Sequence, residues 1–321
     1  MSAATAACIS TSAVLQSGYV TFTLAATDDR DFANLGAHFA ATTQSVPRFR
    51  CYQFSDAALF QDAAAALGTT WFQKTIEGFR QIGLKGFLNE GLGLLEVFDP
   101  ARGIAIRLLR SEDCLPPWEP SSPLANFVNW FNITQQAFML HGATISDGRA
   151  GALIVAEGGT GKSLLTLACI DAGLITIGDD YSIVRMKGGQ AEAARFSMQA
   201  KQSDTGLAML GIGGRTRMAG ERNFKDKYVF TIPTNPTPLA IHALIGLTRT
   251  DGVPVIAPER KPVLFTAISE TTYQQLPASA FETQTFAGNL VRALPTFRFA
   301  LGPDLKENAA NLRAFLGGLH A

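Results

Sequence analysis

Apolar and polar positions alternate in the front third of the chain. Tyr19–Leu24, Arg48–Phe54 and Gly93–Phe98 alternate as half-buried strands do. Gly103–Leu109 follows the turn Asp99-Pro100-Ala101-Arg102, which predicts a hairpin. Helical spacing lies near 56–67 and 70–82, and residues 1–18 are small and polar, a loose start. Residues 1–115 therefore read as a small α+β module that carries no assignable chemistry. The run Leu115-Pro116-Pro117-Trp118-Glu119-Pro120 marks a junction. After it, Ser122 as N-cap and Pro123 at the first helical position predict a helix. Its apolar stripe of Leu124, Phe127, Val128 and Phe131 is expected to dock on a sheet starting at Phe138. Residues 121–321 then form a second, larger domain.

In that domain Leu153, Ile154 and Val155 make an unbroken apolar run. A glycine-rich turn follows, then a segment apolar on nearly every side (Leu164, Leu165, Leu167, Ala168, Cys169, Ile170, Ala172), as in a helix packed inside a domain. Gly173 fits its C-terminal cap. Leu174–Ile177 and Ser182–Arg185 read as two short strands around a Gly178-Asp179-Asp180-Tyr181 turn. Beyond Val184 the pattern predicts strands at 229–232, 243–247, 263–267 and 296–301, with helices at 278–293 and 304–316.

The order strand, glycine-rich turn, helix is that of a phosphate-binding P-loop, here Ala156-x-x-x-x-Gly161-Lys162-Ser163. Gly158, Gly159 and Gly161 let successive backbone amides converge on phosphate oxygens. The helix N-terminus adds its positive end to the same spot. The candidate nucleotide-binding residues are Glu157, Gly158, Gly159, Thr160, Gly161, Lys162, Ser163 and Leu164. Lys162 is a point charge for the outer phosphates, and the Ser163 hydroxyl is a Mg²⁺ ligand. Asp179 and Asp180 end the first strand after the P-loop helix, where a sheet can return them to the phosphates. One acid can hold the metal while the other accepts a proton from an attacking hydroxyl. Only 16 residues separate Lys162 from Asp179, fewer than in switch GTPases and motor-type ATPases.

The stretch from His141 to Val184 resembles the catalytic core of HPr kinase/phosphorylase and its relatives. Leu140-His141-Gly142, a strand, Gly-x-Gly-Lys-Ser, a helix and Asp179-Asp180 carry the likeness. It implies an α/β fold of the phosphoenolpyruvate-carboxykinase/HPr-kinase type and ATP- and Mg²⁺-dependent phosphoryl transfer to a serine hydroxyl. By motif position Lys162 and Ser163 hold ATP and Mg²⁺, Asp180 is the proton acceptor and Asp179 its metal-side neighbour. His141 lies in the active site. A later glycine-rich block with a metal-binding Glu, and an arginine-bearing signature tied to dephosphorylation, are missing from the chain. That departs from the bifunctional members and points to stand-alone relatives, some of which modify ribosomally made peptides such as lasso-peptide precursors. The expected partner is a peptide or protein serine, with a homo-oligomer left open.

Composition narrows the function classes. With 321 residues, 47% of them hydrophobic and 17% charged, the chain builds sizeable cores. Its zero net charge gives no reason to expect nucleic acid or an anionic membrane as partner. Four scattered cysteines show no metal-ligand spacing and fit a reducing cytosol, and Cys169 reads as an apolar filler. No signal peptide and no apolar run long enough to span a membrane is seen, so a cytoplasmic protein is expected. Gly211–Gly220 reads either as a solvated loop or as a lid that brings one cation to the transferring phosphate. Lys227, which opens the strand Tyr228-Val229-Phe230, is favoured for that cation over Arg215, Arg217 and Arg222. Two alternatives stand beside the serine kinase: a small-molecule kinase with the same nucleotide site, and a non-catalytic protein in which ATP only orders the lid.

Overall fold

The computed structural model describes residues 11–26, 35–41, 47–211 and 222–319. Most of the glycine-rich stretch, with Arg215 and Arg217, lies outside the described residues. The chain divides into two compact units, Met1–Gln135 and Gln136–Ala321. Both mix helices with sheets of parallel and antiparallel strands.

The first unit is built on a seven-stranded sheet. Its strands are β1 (Thr11–Ser17), β2 (Val20–Ala26), β3 (Ala40–Ala41), β4 (Phe49–Ser55), β5 (Lys85–Asn89), β6 (Leu94–Asp99) and β7 (Ile104–Leu109), in the order β3-β1-β2-β4-β7-β6-β5. The predicted loose start is thus a strand from Thr11 onward, paired along its whole length with β2. Helices Ala57–Leu67 and Phe72–Gln81 occupy the expected stretches, and the Asp56 side chain caps the first by accepting from the Leu59 amide.

One expectation for the junction helix is corrected. The helix runs Ala125–Ile133, and Leu124 at φ 54° takes the N-cap position in place of Ser122. The Glu119 carboxylate does the capping, accepting from the Leu124 amide at 2.8 Å. The helix packs within the first unit. Phe131 lies flat on Phe49 with ring centroids 4.7 Å apart and meets Phe98 edge-on and Phe22 at a tilt. The boundary between units accordingly falls after the helix, not in the 115–121 segment.

The second unit stacks helices and a smaller sheet on a six-stranded sheet. Its strands are β8 (Ala137–His141), β9 (Ala143–Ser146), β10 (Gly151–Val155), β11 (Ile175–Gly178), β12 (Tyr181–Lys187), β13 (Gln190–Arg195), β14 (Gln199–Gln202), β15 (Tyr228–Thr231), β16 (Leu239–Ile241), β17 (Ala243–Arg249), β18 (Val255–Pro258) and β19 (Thr296–Leu301). The large sheet has the order β11-β9-β10-β17-β19-β18, a second sheet the order β16-β13-β12-β8, and β14 pairs with β15 as a ribbon. Strand β10 is buried on both faces, which explains its unbroken apolar run. Ala152 and Ile154 point to one core with Leu165 and Cys169 of helix Lys162–Asp171 and Leu312 and Leu316 of helix Leu305–Gly318. Leu153 and Val155 point to another, shared with Leu140 and Val184 of the second sheet and with Leu264, Ile268, Phe286 and Leu290. Cys169 is 1% exposed, and burial pushes its thiol up to about 12, so it is an inert filler.

One predicted strand is a helix. Residues 263–267 belong to helix Lys261–Tyr273, which has a proline in its first turn and buries Leu264, Ile268, Thr271 and Thr272 at helical spacing. No helix among the described residues is long and apolar enough to cross a membrane.

Candidate active site

Strand β10 runs into the loop 156–161, and the loop into helix Lys162–Asp171. Gly159 and Gly161 hold φ of 87° and 122°, where a side chain is strained, so the turn needs glycine at both positions. Open space lies where a Cβ on Gly158 or Gly159 would point. Gly161 is the helix N-cap and supplies no side-chain cap, so the first-turn amides are left to another partner. Arg249, at the end of the parallel neighbour β17, grips the loop from outside. Its Nε donates to the Thr160 carbonyl at 2.9 Å and a terminal nitrogen to the Gly159 carbonyl at 2.8 Å. Carbonyls bound there turn the opposite edges of the same peptides, the N–H groups, toward the other side. Glu157 is exposed, and Thr160, Ser163 and Leu164 are half-buried.

The acids sit where the chain crosses between the two sheets. Strand β11 ends at Gly178 in the large sheet and β12 begins at Tyr181 in the small one, so Asp179-Asp180 is a crossover and not the hairpin turn read from sequence. A side chain on Gly178 would strike the Tyr181 carbonyl at 2.9 Å, which keeps the crossing tight. A second crossing, at Gly142, lies beside it between β8 and β9. Antiparallel register pairs His141 with Tyr181, and this sets the imidazole next to Asp180.

Four predicted residues meet there. The Lys162 ammonium, 7% exposed, donates to the Asp179 carbonyl at 3.0 Å and lies 3.5 Å from Asp180 Oδ1. His141 Nε2 is 3.2 Å from that same oxygen. Burial pulls the His141 pKa down, helped by repulsion from Lys162, against the pull of Asp180. An ionised Asp180 can only accept, so the hydrogen bond between the two places a proton on Nε2. Burial alone would raise the Asp180 carboxyl, but Lys201, Lys162 and His141 together outweigh it and hold it well below the usual carboxylate range. Its side chain is 27% exposed and open to a reactant.

Asp179 differs from its neighbour. It is 1% exposed, its Oδ1 has no hydrogen-bond partner, and burial pushes its pKa up, reinforced by Asp180 and opposed by Lys162 and a hydrogen bond from Ser163. A buried carboxylate oxygen without a donor, beside a serine hydroxyl at a helix N-terminus, suits a hard divalent cation. Ser163 and Asp179 could thus hold a Mg²⁺ ion between them. Among the described residues no cluster of three or more His, Cys, Asp or Glu could hold a metal by itself.

Lys227 immediately precedes β15, and its amide donates to Asn223 Oδ1. The cation on Asp180 is instead Lys201, whose Nζ donates to Oδ2 at 2.8 Å. Neither Lys201 nor Arg249 stands out in the sequence. Arg249 reaches the loop through the pairing of β17 with β10, and Lys201 reaches the acids because β14 packs Ala200 against Leu167 of the helix Lys162–Asp171.

No family model matches the chain, and no curated protein matches it. A search of solved structures matches the Hpr(Ser) kinase/phosphatase from Coxiella burnetii at 14% identity and a TM-score of 0.31, covering 57% of this chain and 99% of that one.

Proposed function

We propose that the chain is an ATP- and Mg²⁺-dependent phosphotransferase that moves the γ-phosphoryl group to a hydroxyl, the serine of a peptide or protein. The single observation that carries it is the meeting of Lys162, Asp179, Asp180 and His141 at an uncapped glycine-loop helix, with a buried Asp179 oxygen left without a donor. In this account the loop amides and Lys162 bind the β- and γ-phosphates, and Ser163 and Asp179 hold the metal ion. Mg²⁺ supplies charge neutralisation across the phosphate oxygens.

Asp180, ionised and accessible, orients the acceptor hydroxyl and takes its proton as the oxygen bonds to the γ-phosphorus. The bond from that phosphorus to the bridging oxygen breaks, and its electron pair leaves with ADP. A strong base is not required, because transfer through a loose transition state asks little proton removal until late. His141 fixes the Asp180 carboxylate through its Nε2–H. The buried Lys162 stabilises charge at the transferring group, where partial exclusion of water makes it worth more than in solution.

Incubating the full chain with γ-labelled ATP and Mg²⁺, with serine-containing peptides and with small hydroxyl metabolites, tests the proposal. Label on a peptide supports it as stated. Label on a metabolite moves the acceptor class, and binding of Mg-nucleotide with no transfer to any acceptor or to water overturns it.

A further inference from the structure

Asp180 has two carboxylate oxygens, and the fold brings a cationic side chain to each. Oδ1 faces Lys162 at 3.5 Å, and Oδ2 accepts from Lys201 at 2.8 Å. Sites that transfer phosphoryl groups often use two divalent cations, each held by carboxylates and bridging donor oxygens. To ligate a second ion, Asp180 would have to offer an oxygen to it at about 2.1 Å. The oxygen not shared with His141 and Lys162 already meets an ammonium group.

That ammonium is not a loose surface charge. Lys201 sits in β14 opposite Val229 of β15, between Ala200, which is fully buried, and Gln202, which is 8% exposed. Its side chain is 17% exposed. A lysine is a compact point charge on a long stem, the side chain best suited to stand in for a monatomic cation.

Resting on the phosphotransferase reading above, we propose that Lys201 is a built-in cation that replaces a second divalent ion on Asp180, so that the site works with one metal ion, held by Ser163 and Asp179. Lys201 acts through Asp180 and is a positioning residue: it fixes the carboxylate opposite the phosphate cradle and supplies positive charge that does not depend on the metal concentration.

Counting bound Mn²⁺ tests this directly. The full chain is loaded with adenylyl imidodiphosphate, a non-transferable ATP analogue, and Mn²⁺ per chain is measured by electron paramagnetic resonance for wild type, Lys201→Arg and Lys201→Glu. One Mn²⁺ is expected in wild type and Lys201→Arg, and two in Lys201→Glu, where a second carboxylate replaces the ammonium. Two ions in wild type, or one ion in a folded Lys201→Glu variant, would overturn the role of Lys201 while leaving the phosphotransferase reading intact. Should Lys201→Glu fail to fold, the wild-type count decides alone. Neither nucleotide nor Mn²⁺ on wild type would overturn both.

Discussion

Each unit buries a cluster of charges, and the two clusters are finished to different degrees. In the first unit Arg107, 2% exposed, donates twice to Glu96 Oε1, at 2.8 and 2.5 Å, and once to Glu119 at 2.6 Å, with Gln53 within 3.3 Å. Asn126 fills the other Glu96 oxygen at 2.8 Å, and Glu119 Oε1 also caps the helix start at Leu124. Both Glu96 oxygens have donors from within the unit, and of the Glu119 carboxylate only Oε2 is buried without one, so the cluster is a structural tie between the sheet and the Ala125–Ile133 helix. In the second unit Lys162, Lys201 and His141 converge on Asp180, while Asp179 Oδ1 and His141 Nδ1 are buried without partners and the helix at Gly161 has no side-chain cap. Buried polar atoms left open are costly unless something completes them. In the first cluster the one open oxygen belongs to a glutamate already held by Arg107. In the second the open atoms lie at an uncapped glycine loop beside the accessible Asp180, and that difference in surroundings separates a structural tie from a candidate site.

Substitutions should separate the two clusters by what they damage. Lys162→Ala is expected to lower transfer by about three orders of magnitude or more, measured as label moved per folded chain, because it removes the charge nearest the transferring group. Its urea unfolding midpoint should stay close to wild type. Asp180→Asn should lower transfer by roughly 10²–10⁴-fold while calorimetry still detects Mg-nucleotide binding; wild-type transfer by this variant would remove Asp180 from its assigned role. Arg107→Leu should do the reverse. It strands Glu96 and Glu119 as buried uncompensated charges and should cost about 3–5 kcal/mol of stability in urea unfolding, with nucleotide affinity per folded chain unchanged. The smallest effect is expected at Arg249→Ala. Losing two hydrogen bonds to loop carbonyls should weaken Mg-nucleotide affinity by roughly tenfold, about 1.4 kcal/mol, with little change in unfolding.

The fold was legible in sequence wherever a pattern ran long. Helices Ala280–Ala293 and Leu305–Gly318, the P-loop strand and most strands of the first unit lie within a few residues of the predicted spans. Short windows misled. Val263-Leu264-Phe265-Thr266-Ala267 looks like a strand over five residues, and only the longer spacing Leu264, Ile268, Thr271, Thr272 reveals a helix face. The Ser122 cap failed for a physical reason: Glu119, five residues before Leu124, reaches its amide first, and a positive φ at Leu124 starts the helix late.

The same rule of range applies to the site. Lys162, Ser163, Asp179 and Asp180 are legible because loop, helix and strand are contiguous in sequence, whereas His141 gained weight only from its place one strand before the loop. Lys201 carries no local signal in the sequence, and Lys227 lies one residue before β15, the partner of the strand that holds Lys201. The reach of Lys201 to Asp180 depends on how β14 packs against the helix Lys162–Asp171, which no local spacing encodes.

The most direct test of the central claim is calorimetric titration of the full chain with ATP in excess Mg²⁺. Saturable binding of one nucleotide per chain, lost in Lys162→Ala and retained in Arg107→Leu, is the expected result. Absence of binding heat at millimolar nucleotide, together with an unfolding midpoint that Mg-nucleotide does not raise, would contradict it.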